Sequence, residues 1–548
     1  MTKLLGDKKP NTSIWAVLLV ALLLVSFVYG FYRIRTETTL KKYNFQHITN
    51  SNADPTIGPT VIPEGGIIDP ETFATHLPLV VLDTYGAEVP NIYTSIDDIQ
   101  TRGYADPDIT DPYIPVHMYL VNNESGGNKI TDVPSFINDG KIELRGNSSR
   151  HFEKKQYKIK LLNESGSEIE EPLLGMEADE DWILCNSILD ASYIRSYIAM
   201  NIGGIVMPFT PEVRFCELVY KTGDSYEYKG LYLLMESVKK GKGRVNIATY
   251  KGNPLNLSYI VDRDRYDTTA TMLSTYASDR QLCYGWFDLR YPKNELADPD
   301  TIKAIETEIS EIETALYSDD PKIFKNYEAM INVDSFVDYM VVNEFLMNYD
   351  AGEHSTYYYR DNSHKFSAGP IWDYDNCLDN YKNAVAGISW MVFPSHPWYE
   401  RLTRDHDFNE KVAKRYHRLR NTVFSDRFME EFVSGTTAYL GHAIEREHSR
   451  WGEIYNENHA LKNGEGDDGF VIFRTRDSYD EEITRLLDVQ QLHAKWLDEH
   501  IEDFLSDYEA DVKDDPGIIV YSALALLMIL SIFTSIIYAN RMKNGEIT

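Results

Sequence analysis

The chain has 548 residues, with 54 Lys and Arg against 85 Asp and Glu, giving a formal charge of −31. Its 43% apolar and 12% aromatic residues are enough for a real core, which excludes wholesale disorder. The acidic surface argues against nucleic acid and against docking on anionic lipid, and four cysteines (Cys185, Cys216, Cys283, Cys377) without a CxxC pair argue against a disulfide scaffold or a zinc ribbon.

Residues 14–32 (IWAVLLVALLLVSFVYGFY) and 517–540 (GIIVYSALALLMILSIFTSIIYAN) carry no charge. Each is long enough as a helix to cross about 30 Å of hydrocarbon, with Tyr29, Tyr32, Tyr521 and Tyr538 near the ends. Two spans are therefore expected, holding the chain in a lipid bilayer. Lys3, Lys8, Lys9, Arg541 and Lys543 favour cytoplasmic ends at 1–13 and 541–548, while Arg33, Arg35, Lys41 and Lys42 favour the reverse. Given the large domain that follows, the expectation is a two-pass protein of the cell membrane with its central domain outside the cytoplasm. Residues 33–75 read as a polar stalk, rich in Asn, Pro and Gly.

A domain is expected over 76–510. LPLVVLDT, PVHMYLV, GKIELRG and QYKIKLL are short alternating or β-branched runs and read as strands. DASYIRSYIAMNIGGIV has helical spacing and ends in Gly-Gly. EVRFCELVYKTGDSYEYKGLYLLMESV reads as a hairpin about TGDS, and STYYYRDNSHKFSAGPIWDYD as a second one. Residues 300–348 and 400–508 are helical in period. The order gives an α+β fold, β-rich over about 76–250 and mostly helical over about 251–510.

Three clusters could carry chemistry. Arg145-Gly-Asn-Ser-Ser-Arg150 is a glycine turn that lets backbone N–H groups approach an anion, and Lys155, Lys158 and Lys160 follow it. A surface hairpin with solvated lysines has the same pattern. Asp350, past a helix end and beside Glu353 and His354, could take a proton from a bound hydroxyl or simply form a turn. Asp373 and Asp375, two apart at a strand end, could hold Mg²⁺ beside a substrate phosphate or be acids at a turn. Together they form the parts list of ATP–Mg²⁺ phosphoryl transfer. The absence of HRD, DFG, GxGxxG and GxxxxGK[ST] excludes an ordinary kinase and a P-loop NTPase.

RGNSSRHFEKKQYKIKL, DWILCNSILDASYIRSYIA, GLYLLMESV, NYDAGEHSTYYYRD, GPIWDYD and KWLDEHI, spread over roughly 75–505, resemble the CotH family of spore-coat-protein-H-like atypical kinases. The resemblance implies a diverged protein-kinase-like fold of two lobes, here flanked by two transmembrane helices. It also implies transfer of the ATP γ-phosphate to Ser or Thr hydroxyls of surface or envelope proteins, with ATP as substrate and Mg²⁺ or Mn²⁺ as cofactor. On it Asp350 is the catalytic base, and Asp373 is the metal ligand with Asp375 assisting. Arg145 and one of Lys155, Lys158 or Lys160 grip the phosphates. Glu236 lies near the nucleotide or braces a basic residue, and Arg195 partners an acid; no helix glutamate stands out as the partner of the lysine. Where many relatives have Asn, five residues after the Asp, this chain has Ser355. The alternatives are a catalytically silent scaffold that acts by binding, and phosphoryl or nucleotidyl transfer to a non-protein acceptor.

Overall fold

Alternation of apolar and polar residues builds the first half of the molecule. The computed structural model describes residues 44–509 apart from 92–108, 110, 124–125, 147, 187, 268, 363, 381–387, 459–463, 466–470 and 473–477. Its first ten strands are β1 (Ile67–Ile68), β2 (Ala74–Thr75), β3 (Leu79–Asp83), β4 (Ile114–Val121), β5 (Asn128–Lys129), β6 (Phe136–Leu144), β7 (Tyr157–Leu162), β8 (Asp181–Cys185), β9 (Val213–Thr222) and β10 (Ser225–Glu236). β9 and β10 are the expected hairpin about the TGDS turn. β10 pairs with β9 along one side and with β1 and β8 on the other. Because β9 also runs parallel to β3, the order β10-β8-β7-β6-β4-β3-β9 returns to β10, with β1 outside the ring. β2 and β5 form a separate ribbon. Closure gives every strand in the ring a strand partner on both sides, though not along its whole length.

Val80, Met118, Ile142, Ile159, Trp182 and Leu234 fill the ring. The outward residues Ile183, Phe215, Leu231, Leu233 and Met235 belong instead to a second, larger core built with the helices. α1 (Arg195–Val206) lies in that core and is apolar nearly all round, as a helix covered on every side must be. The Gly-Gly expected to end this helix lies inside it. A Cβ at Gly203 would stand 2.1 Å from Ile371 Cδ1, so glycine here allows close packing rather than termination.

The second half contains a four-stranded antiparallel sheet as well as helices. β11 (Tyr259–Asp264), β12 (Trp286–Tyr291), β13 (Thr356–Arg360) and β14 (Ser367–Ala368) take the order β12-β11-β13-β14. The helices around it are α2 (Pro299–Leu316), α3 (Val333–Phe345), α4 (His406–Arg420), α5 (Asp426–Leu440), α6 (His442–Asn458) and α7 (Tyr479–Ser506). α2 starts where Asp298 accepts from Thr301 N–H at 2.7 Å with Pro299 in the first turn, and it buries Ile305, Ile309, Ile312 and Leu316. The chain divides into two units, one ending at Tyr508 and one from Glu509 onward, of which only Glu509 is described.

Two expectations need correction. The fold is a mixed α+β one, but flanking transmembrane helices are not part of what it shows: among the described residues no helix is long and apolar enough to cross a membrane, and 14–32 and 517–540 lie outside those residues. The stretch read as a stalk is packed onto the body from residue 45. Phe45 is buried, Gln46 exchanges hydrogen bonds with the Phe215 backbone at 2.6 and 3.1 Å, and β1 pairs with β10. Its polar composition hid the apolar anchors Phe45, Ile62, Ile68 and Phe73.

α6 locks the ring to the helical part. Arg446 makes two bonds to Glu217 of β9, at 2.7 and 3.0 Å, with both side chains buried. The next residue, Glu447, accepts from Lys154 Nζ at 2.5 Å, Leu231 N–H at 2.7 Å and Tyr455 O–H at 2.8 Å. β10 admits this carboxylate by bulging at Gly230, whose φ is +114°. A Cβ there would meet Glu447 Oε2 at 2.4 Å and Lys154 Cε and Trp451 Nε1 at 3.0 Å. Gly230→Ala is therefore expected to destabilise the protein by about 2–3 kcal/mol through overpacking at a left-handed position. Urea unfolding measures this, and a loss under about 0.5 kcal/mol, the size of a neutral surface change, would show that the contact is not made.

Candidate active site

Two segments far apart in the sequence are tied into one surface. At the C-terminal end of α3, Asn343 accepts from the buried Tyr374 O–H at 2.6 Å. Asn348 donates to the Asp373 carbonyl at 3.3 Å, and Leu378 N–H donates to the Leu346 carbonyl at 2.8 Å. The W-D-Y-D spacing then does the rest. Trp372 and Tyr374 are buried while Asp373, between them, is exposed, with its backbone in the left-handed region at φ +64°. Ser355 Oγ donates to Asp373 Oδ2 at 3.1 Å, and Asn376 Nδ2 donates to Asp350 Oδ2 at 2.9 Å. Desolvation pushes the part-buried Asp350 carboxyl above the usual aspartate value; the Asn376 bond opposes this and the nearby Asp373 charge adds to it.

Asp373 and Asp375 line a small cleft together with Arg145, Gln156, Cys185, Ser196, Met200, Met235, Trp372 and Tyr374, and Asp350 lies behind this wall, joined to it through Asn376. Arg145 follows β6, donates to Gln156 Oε1 at 2.7 Å and stacks over the Trp372 ring at 5.3 Å. It is the basic residue of the sequence-derived set that reaches the cleft wall. Burial holds the Cys185 thiol up to about 12, so it is uncharged there.

The three lysines singled out from the sequence lie elsewhere. Lys155 Nζ caps the Arg150 carbonyl at 2.7 Å. Lys158 and Lys160 alternate with Tyr157 and Ile159 on β7 and point out of the ring, where Asp181 holds them at 3.5 and 3.2 Å and Glu168 takes Lys160 at 3.0 Å. The lysine that sequence reasoning missed is their neighbour Lys154. It is buried, bound to Glu447 and to the Leu231 carbonyl at 2.8 Å, and stacked over Tyr232 at 4.8 Å. It lines a small cavity that shares Cys185 and Ser196 with the cleft. Burial pushes its ammonium below the usual lysine value, against the pull of Glu447. Glu447, on α6, supplies the helix glutamate that the sequence did not single out.

Arg195 and Glu236 are both buried and paired. Arg195 binds Asp190 at 2.6 Å, Glu482 of α7 at 2.7 Å and the carbonyl of Cys377 at 2.9 Å, so it anchors the chain just beyond Asp375. Glu236 accepts from Arg244 and from Glu212 N–H at 2.8 Å; of the two positions expected for it, it takes the one that braces a basic residue. His354 is held down to about 4 by burial and is neutral near pH 7, with Nε2 3.4 Å from Tyr284 O–H.

Asp373 and Asp375 bring hard carboxylate oxygens to the cleft, the donor type that Mg²⁺ takes alongside water and phosphate. They fit such an ion. Among the described residues a tighter acid group lies at Asp179, Glu180 and Asp181, but Lys239, Lys158 and Lys160 already neutralise it.

The model of the family described as CotH kinase protein matches residues 142–497, and the chain belongs to the CotH family. No curated protein matches it.

Lys154→Met leaves Glu447 buried and without its cation, and a broken buried pair of this kind costs about 3–5 kcal/mol. Chemical denaturation checks this. The double variant Lys154→Met, Glu447→Leu is expected to recover part of the loss, since no unpaired charge remains.

Proposed function

We propose that this chain transfers the γ-phosphoryl group of ATP to a hydroxyl acceptor, with Ser or Thr side chains of proteins as the leading acceptor class. The observation that supports this is the tie between the 343–350 and 373–378 segments, which brings Asp350 near Asp373, itself on the cleft wall with Arg145. In this reading Asp350 accepts the hydrogen bond of the acceptor hydroxyl, orients it and takes its proton as the P–O bond forms. Arg145 contacts the phosphate oxygens. Lys154, held by Glu447 in the adjoining cavity, is the lysine of a lysine–glutamate pair of the kind that phosphoryl transfer from ATP uses. Asp373 and Asp375 would hold Mg²⁺, which when bound neutralises phosphate charge. The buried pairs of Arg195 keep these groups from relaxing apart.

The test uses the purified full-length chain with γ-labelled ATP and Mg²⁺. Wild type is expected to label itself or a generic Ser/Thr-containing protein. Asp350→Asn should lower kcat by about 100-fold or more while ATP still binds. Asp373→Ala should remove both labelling and Mg²⁺-dependent nucleotide affinity. A wild type that neither binds nor transfers from ATP overturns the reading. Capture of a binding partner that survives Asp373→Ala would then favour the scaffold.

The rate should also depend on pH with a definite sign. Asp350 must be ionised to act, and its carboxyl lies above the ordinary aspartate value. Activity is therefore expected to rise with pH through a limb displaced upward from that of a free aspartate. A kcat/KM profile that is flat down to the ordinary aspartate range would count against Asp350 as the base.

A further inference from the structure

Asp350 has one fixed oxygen. Among the described residues the only side chain that donates to it is Asn376, through Nδ2 to Oδ2 at 2.9 Å. The carboxyl torsion of an aspartate is soft and roughly two-fold, so burial alone does not choose which oxygen is left for an acceptor. The local backbone does not choose either: Glu353 and His354 N–H groups bind the Asp350 carbonyl, not its side chain. Ser355 is no substitute, because its hydroxyl is directed to Asp373 at 3.1 Å.

Asn376 is itself held on both sides. The Asp375 carbonyl accepts from Asn380 Nδ2 at 2.6 Å, the Cys377 carbonyl accepts from Arg195 at 2.9 Å, and Tyr374 is anchored on Asn343. The amide is therefore presented to Asp350 by a rigid stretch of chain.

We infer that Asn376 is the positioning residue of the base: its amide clamps Asp350 Oδ2 and leaves Oδ1 for the acceptor hydroxyl. This rests on the phosphoryl-transfer reading above. The segment that carries the acids Asp373 and Asp375 thus also aims the base, so one five-residue run, 372–376, sets both halves of the reaction. An amide suits this task, since it donates to an ionised carboxylate and does not change charge across the working pH range.

The experiment compares wild type, Asn376→Ala, the isosteric Asn376→Asp, Asp350→Asn and the Asp350→Asn, Asn376→Ala double variant of the full-length chain. Asn376→Ala should lower kcat by about 10- to 100-fold through misorientation, with the KM for ATP and affinity for a fluorescent ATP analogue within about two-fold of wild type. Asn376→Asp, which keeps the shape but replaces the donor with a second carboxylate, should shift the acid limb of the rate profile further up. In the Asp350→Asn background Asn376→Ala should cost nothing more, because the two act as a unit. The inference is overturned if Asn376→Ala keeps kcat within about two-fold, if it loses ATP affinity in proportion, or if its loss adds fully to that of Asp350→Asn.

A readout independent of activity separates this failure from failure of the phosphoryl-transfer reading. The carboxyl of Asp350, followed by carbon-13 NMR, should titrate at higher pH in Asn376→Ala than in wild type. The other groups that bear on it, Asp373, Glu353 and Arg265, are the same in both proteins. An unmoved titration overturns the clamp whether or not ATP is used.

Discussion

The arrangement of the cleft depends on a small set of amide and carbonyl bonds between the end of α3 and the stretch around Asp373. Asn343, Leu346 and Asn348 present a ladder of polar groups just where the helix runs out, and Tyr374, the Asp373 carbonyl and Leu378 N–H occupy it. A helix end leaves backbone carbonyls without helical partners. Here a remote segment takes up one of them, so the same bonds satisfy the helix end and fix the positions of two carboxylates. Like charges brought together by diffusion alone would separate. Held by neutral anchors at their flanks, they stay close enough for the Asp373 charge to raise the cost of ionising Asp350.

The second constraint is the buried charge network. Lys154 with Glu447, Arg446 with Glu217, and Arg195 with Asp190 and Glu482 all sit where water does not reach. Such pairs contribute little net stability compared with apolar packing, but a structure that separates them is strongly penalised. They therefore act as registration pins. Each joins the strand ring, or the helix α1 that lies between two of its strands in sequence, to a helix from the last quarter of the chain, and so ties the strands beside Arg145 and Lys154 to the helical part of the molecule.

Much of the first half was legible in the sequence because alternation is a local signal. Tyr157, Ile159 and Leu161 point inward and Lys158 and Lys160 outward, as the pattern requires. The W-D-Y-D acids and the helix-end Asp350 were legible for the same reason: buried aromatic neighbours and a helix boundary are visible over a few residues. What was not legible depends on distant partners. Nothing in KKQYKIK tells Lys154 from Lys155; the difference is Glu447, 293 residues further on. β11 and β12 escaped because Asp262, Arg263 and Asp264 interrupt the apolar pattern with charges that are nonetheless buried, Asp262 against Arg290 at 2.8 Å. Asn376 gave no signal at all, since an asparagine after a turn is ordinary, and its meaning comes only from the carboxyl across from it.

The strand ring carries a consequence for how the protein comes into being on the ribosome. Its first members are made early, yet the hairpin that shuts it is complete only at Glu236, and the arginine and glutamate that secure that hairpin come more than 200 residues later. During synthesis the nascent sheet therefore presents raw hydrogen-bonding borders, and they disappear only when sequence-distant pieces arrive. Maturation is a late, nearly whole-chain event, in which the surface that carries Asp350 and Asp373 can be assembled only after α6 and α7 have left the exit tunnel.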